Sequence, residues 1–160
     1  MRAGPVIIGA VVVGGVGWLL LRPKGPKVGL PGDVTGQGLV VTSINAQFVA
    51  GGDIVSTIVW THYDMPAEWV SAPDSFADII TSIGRMTDQG WQNYYTISVQ
   101  SSVPKEGDTK TVSGRWDKLA VVQMPPGPAG IRCRIEAFTA GWQQVGISPE
   151  YFINNLVVIP

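Results

Sequence analysis

The chain is short of the side chains from which catalytic and metal sites are assembled. Its 160 residues hold one cysteine, Cys133, and one histidine, His62. A nucleophile needs a neighbouring base, and a structural metal site needs several thiolate or imidazole ligands, so neither arrangement is expected. There is no Gly-rich phosphate loop, G-x-S-x-G elbow, H-E-x-x-H pair or paired-cysteine spacing. The expectation is a protein that is not an enzyme and has no cofactor or resident metal. Glu106-Gly107-Asp108 offers too few oxygens for calcium and reads as a solvated turn. A lone Cys133 forms no internal disulfide, which suits a reducing compartment, and no N-x-[ST] acceptor occurs.

Charge is also scarce. Charged residues make up 14% of the chain against roughly 25% in ordinary soluble proteins, and the net charge is -1. Such a surface resists association weakly. The basic residues form no stripe, which argues against nucleic acid as a partner, because phosphate neutralisation needs clustered Lys and Arg.

What is present in quantity is apolar residues, and they are unevenly placed. The run from Pro5 to Leu21, PVIIGAVVVGGVGWLLL, carries no charge and is followed by Arg22, Lys24 and Lys27. A helix crosses hydrocarbon with roughly 20 apolar residues and a lower limit of about 17, and indole rings collect at the water interface. The expectation is a single-pass transmembrane helix with a basic stop over 1–27, in which Pro5, Ile8, Val12, Val16, Trp18 and Leu21 form the membrane anchor. A cleaved secretory signal would have a shorter core and an A-x-A-like ending, which does not follow here. Ala10, Gly14 and Gly17 share one helix face, a spacing that suits helix packing but that lipid also tolerates. Three basic residues after the run against Arg2 and the amino terminus before it tilt the following domain toward the cytoplasm.

Residues 28–38, VGLPGDVTGQG, read as a Gly/Pro tether, and 39–160 leave about 120 residues for one domain. Strands are expected at Leu39–Val49 and Ile54–Tyr63, joined by Ala50-Gly51-Gly52-Asp53 as a hairpin whose second strand is central. Phe76, Ile79, Ile80, Ile83 and Met86 recur at helical spacing behind Ser75, so a short amphipathic helix is expected over 75–86, ending at Gly84. Further strands are expected at Trp91–Val103, within Thr109–Met124, and at Tyr151–Ile159. Pro125 to Pro128 and Trp142 to Glu150 read as loops. Ile131, Cys133, Ile135 and Ala137 alternate with Arg132, Arg134 and Glu136, the clearest half-buried strand. In that setting Cys133 reads as a core residue, and His62, alone at a strand end, as structural.

About six to eight strands separated by turn signals indicate a mainly β fold, an antiparallel β-sandwich, with the one short helix. The run PPGPAGIRCRIEAF resembles the penultimate strand of immunoglobulin-like or fibronectin-type-III-like domains, and Trp91 resembles their core Trp. The resemblance implies such a sandwich over Leu39 to Pro160. The inserted helix and the missing Cys pair depart from it, a jelly roll stays open, and it transfers no functional residue.

Trp69 and Trp142 fall in expected loops, where exposed indole anchors partners, although both can also fold back over the core. Two functions follow. One is a structural protein of an assembly, its sandwich making protein–protein contacts, for instance a minor virion protein linking an internal membrane to a capsid. In its architecture alone it resembles membrane-associated proteins of tectivirus-like phages. Its partners are then the lipid bilayer, other structural proteins of the assembly and its own copies. The other is a cell-envelope accessory or adhesion module with the sandwich outside the cytoplasm. A ligand pocket between the helix at 75–86 and the sheet is a third possibility.

Overall fold

The computed structural model describes residues 38–158, together with the backbone pairing of 6–7, 10–11 and 28–29. Eleven strands and two single helical turns make up the described fold. β1 (Val6–Ile7) and β2 (Ala10–Val11) pair with each other, and β3 (Val28–Gly29) follows. The long strands are β4 (Gly38–Phe48), β5 (Ile54–Tyr63), β6 (Phe76–Thr87), β7 (Gly90–Ser102), β8 (Lys110–Trp116), β9 (Gly127–Phe138) and β11 (Glu150–Val158), with short β10 (Gln144–Ile147) before the last.

They form two main sheets. The smaller has the order β4-β5-β8, and the larger β3-β11-β9-β6-β7 with β10 also on β9. Every pairing is antiparallel except β3 on β11, where Val28 and Gly29 meet Glu150 and Tyr151 in parallel. Part of the expected tether therefore joins the sheet. The result is a β-sandwich-like, mainly β fold whose core lies between the inner faces of the two sheets.

Alternation explains who enters that core. In β5 Ile54, Ser56, Ile58, Trp60 and His62 are buried and the residues between them mostly half-buried, as expected of a central strand. In β9 Ile131, Cys133, Ile135 and Ala137 are buried, and Arg132, Arg134 and Glu136 turn to the outer face. Ala77, Ile79, Thr81 and Ile83 of β6 lie opposite those four residues in register and are buried with them. Arg134 pairs with Glu136 on the outer face at 2.8 Å.

The helix expected over 75–86 is not there: these residues are β6, between β7 and β9. The β-branched Ile79, Ile80, Thr81 and Ile83 favour the pleated form, and the strand's apolar residues occupy both faces, which mimics helical spacing. Gly84 is no helix end. A Cβ there would collide with the Gln92 carbonyl and come within 2.8 Å of the Trp91 ring. Its cross-strand partner Gly130 is equally tight, since a Cβ there would stand 2.8 Å from the Phe152 ring. The two glycines make a depression on the outer face in which Trp91 and Phe152 lie edge to face at 5.5 Å, with Arg132 over the Trp91 ring. Trp91 thus packs outside the sandwich core, contrary to the expectation.

Three smaller expectations change as well. The single turn Ala67–Val70 stands in the loop before β6, and Lys118–Val121 is helical where strand was expected, capped by Asp117 accepting from the Ala120 N–H. Gly127 and Pro128 already belong to β9, at its first residues, where a missing N–H is tolerated. The expected loop after Trp142 contains β10. At its end Ser148 keeps the ladder intact before Pro149: its N–H donates to the Ile135 carbonyl and its hydroxyl accepts from the Ile135 N–H, both at 2.8 Å.

No helix among the described residues is long and apolar enough to cross a membrane. The anchor residues Pro5, Ile8, Val12, Val16, Trp18 and Leu21, and Gly14 and Gly17 of the small-residue face, lie outside the described residues. Ala10 pairs with Ile7 in the β1–β2 ladder.

Candidate functional site

Sequence places one aromatic at the first residue of β6 and another at the last of β9. Register brings them together. Phe76 is the cross-strand partner of Phe138 on the outer face of the large sheet, and their rings stack at 5.4 Å and 20°. β9 then reverses through residues 139–143, where the Trp142 N–H donates to the Thr139 carbonyl and the Thr139 N–H to that of Gln143. Such a turn asks for a left-handed residue at its end, a place commonly given to glycine. Here it is Trp142, with φ of 62°. A non-glycine residue held there costs about 1–3 kcal/mol.

That backbone aims the indole at the stacked pair. Trp142 lies edge-on to Phe76 at 4.9 Å and tilted to Phe138 at 6.1 Å, yet 66% of it is exposed. Ile147 of β10 lies opposite Glu136, one row along the same face, and is 59% exposed. Asp78 and Ser98, hydrogen-bonded to each other, continue the face as a polar border. The arrangement is an apolar shelf of three rings and Ile147 with a polar border.

Trp69, also expected to anchor a partner, is fully buried. Its Nε1–H donates to the Phe76 carbonyl at 3.0 Å, and His62 meets its ring edge-on at 5.1 Å. It closes the end of the core because an indole that size loses little by burial once its one donor is satisfied. The two tryptophans therefore serve Phe76 from opposite sides, Trp69 holding its backbone from within and Trp142 covering its ring from without. Trp60 and Trp116 are core residues.

His62 is buried, and its Nε2 is 2.8 Å from the Pro104 carbonyl. With the Gly107 N–H donating to the His62 carbonyl and the Thr61 hydroxyl to that of Asp108, it fastens the 104–108 turn onto β5. Cys133 is buried in β9, and burial pushes its thiol up to about 12, only partly opposed by a hydrogen bond with Thr81. A thiol so placed stays protonated at neutral pH. Among the described residues no group of three or more His, Cys, Asp or Glu side chains is placed to hold a metal ion.

A cavity of about 350 Å³ opens beside the Trp91–Phe152 pair, lined by Arg85, Met86, Pro128, Gly130, Phe152 and Asn154 among others. With β6 a strand, the pocket expected between a helix and the sheet has no helix to form it. Phe76, Phe138 and Ile147 escaped the sequence reading, since only strand register shows that they share one face with Trp142.

No protein-family model and no curated protein matches the chain. Among solved structures it is similar to wild-type OgpA from Akkermansia muciniphila, with a TM-score of 0.39 and 11% identity over 75% of this chain. The chain spans 28% of that protein's length. A likeness at this level carries no argument about activity.

Proposed function

We propose that this chain is a membrane-tethered structural protein whose sandwich docks another protein of an assembly on the Phe76–Phe138–Trp142–Ile147 shelf. The observation that carries the reading is Trp142: a large indole kept 66% exposed in a costly backbone conformation and braced by two phenylalanines. Trp is among the commonest binding hot spots, and a rigid one loses little entropy on docking. The apolar run over 5–21 supplies the tether, and the basic residues Arg22, Lys24 and Lys27 favour a domain on the cytoplasmic side. In a virion with an internal membrane that side faces the shell, so we assign the protein to the link between membrane and capsid.

The strand order supports the immunoglobulin-like resemblance. Lettering the seven long strands A to G gives one sheet A-B-E and another D-C-F-G. That is the constant-type arrangement with the fourth strand moved to the edge beside the third.

The test is a photo-crosslinking residue at position 142, compared with one at Leu119, which is similarly exposed but far from the aromatic cluster in sequence and fold. Adducts at 142 alone, in intact particles or cells, support the shelf. Equal labelling at both positions, or none at 142, overturns it. Protease treatment of intact cells reads the setting separately: protection keeps the domain inside, and its loss moves the docking module to the outer envelope.

A further inference from the structure

The two sheet edges on one side of the sandwich are treated differently. β7 and β8 are joined by the short 103–109 connection and edge the large and small sheets respectively, with Ile97 of β7 packed on Gly114 of β8. β8 carries Lys110 and Arg115 within its seven residues, the charged side chains that discourage strand addition. β7 carries none. From Gly90 to Val103 there is no charged residue and no proline, and Tyr94 to Gln100, YYTISVQ, is a run of strong strand formers. Thirteen residues is long for an edge strand. The bulge at Tyr94 kinks only its beginning, and from Tyr95 to Ser102 the register with β6 is unbroken.

Burial points the same way. On β6 and β9 the core-facing residues Ile79, Ile83, Ile131 and Ile135 are fully buried. On β7 the core-facing Tyr95, Ile97 and Val99 are only half-buried, because among the described residues β7 pairs with β6 alone. A further strand would cover them and take up the open row of backbone donors and acceptors.

We propose that the occupant is a second copy of this chain, paired β7 to β7 about a two-fold axis at Ser98. An isologous contact sets each residue against its own strand read backwards. About Ser98, Ile97 meets Val99 and Thr96 meets Gln100, so apolar faces apolar toward the core and polar faces polar outside. Self-pairing brings like charges together on most strands and costs stability there. An uncharged strand escapes that cost, which is why a second copy fits better than a charged peptide. The two large sheets then become one continuous sheet across the axis. This pairing uses the edge of the large sheet, whereas the apolar residues of the Trp142 shelf lie on its outer face over β6, β9 and β10 and only its polar border reaches β7 at Ser98, so the edge pairing and docking on the apolar shelf can each fail without the other.

The experiment uses the full chain in detergent. Sedimentation is expected to give two copies per micelle, and Ser98→Cys to form an oxidised dimer at least tenfold faster than Ser113→Cys on β8. Val99→Lys is expected to weaken the dimer tenfold or more while the monomer melts normally, since at an open edge the lysine stem covers the strand and its ammonium reaches water. In the dimer that ammonium would be buried against Ile97 of the other copy. One copy per micelle throughout the accessible concentrations, or equal cross-linking at positions 98 and 113, overturns the proposal. Should Val99→Lys fail to fold, the comparison of the two cysteine positions decides alone.

Discussion

Residue by residue, the two loop tryptophans show how little type and neighbourhood reveal about burial. Both follow polar or turn-forming residues, and neither sits in a run with strand or helix period. One is a fully buried indole at the end of the core and the other the most exposed aromatic of the described chain. The difference is set by partners distant in sequence: the Phe76 carbonyl lies where the Trp69 Nε1–H can reach it, while the left-handed turn at Trp142 points outward. Opposite outcomes follow for their substitution. Trp69→Ala removes a fully buried ring and leaves the Phe76 carbonyl unpaired, so it is expected to cost about 3–5 kcal/mol in urea unfolding. Trp142→Gly relieves a conformation that glycine adopts freely and forfeits two exposed aromatic contacts, to Phe76 and Phe138, of about 0.5–1.5 kcal/mol each. The two effects offset, so stability should stay within about 1 kcal/mol while partner capture is lost. A large destabilisation by Trp142→Gly would mean that the indole serves the fold and not a partner.

At the scale of elements, strands were legible where one face was cleanly apolar or where turn residues bounded a β-branched run. β9 came out over its alternating part, where Ile131, Cys133 and Ile135 alternate with Arg132 and Arg134, although its first residues Gly127 and Pro128 read as loop. β5 came out at its observed bounds because Ala50-Gly51-Gly52-Asp53 sets off the β-branched run that follows. β6 was not, because Ile79 and Ile83 face the core while Ile80 and Met86 lie on the other face, under partial cover from neighbours on the outer sheet surface. Two apolar faces superimpose into a spacing of three and four, and only the pairing with β7 and β9 separates them. The candidate site was half legible for the same reason: Trp142 could be singled out, but its companions depend on register. Elements are also held by side chains whose role appears only in three dimensions. Asp53, in the β4–β5 turn, accepts from Arg115 Nε at 2.6 Å and from the Lys118 N–H at 2.7 Å, joining the hairpin to the end of β8 and the turn after it. The Arg115 guanidinium, chiefly, holds its carboxyl below the usual 3.8, helped by the Lys118 N–H. A depressed carboxyl favours the folded state above the unfolded value and loses that contribution as pH falls through the folded one. Asp53→Asn should therefore lower the melting temperature at pH 7 and leave it nearly unchanged well below pH 3.8, so that the variant and parent curves converge in acid. Curves that stay parallel down to that pH would show that the carboxylate charge contributes nothing.

For the whole molecule, the sequence joins an apolar first segment to a low-charge β domain, and the proposed tether makes predictions for each part separately. The core is built from residues 39–158, and of the described residues before it Val28 and Gly29 pair with β11 while β2 lies beside β4 and β11 without pairing with either. Removal of residues 1–27 should therefore leave melting within a few degrees of the full chain. Membrane behaviour should change completely. A spanning segment is held by the hydrophobic effect, whereas Arg2, Arg22, Lys24 and Lys27 alone would give surface attachment worth about 1 kcal/mol per basic residue on anionic lipid. Salt separates the two, since at roughly 1 M the Debye length falls to about 3 Å and surface attraction is lost. The full chain, reconstituted in vesicles, is expected to float with lipid at high salt as it does at low salt, and on neutral as well as anionic membranes. The chain beginning at Val28 is expected to remain at the bottom of the gradient in each case. Release of the full chain by salt would reduce the anchor to a basic surface patch, and flotation of the shortened chain would place membrane affinity in the sandwich itself, where the Trp142 shelf would become the first surface to test.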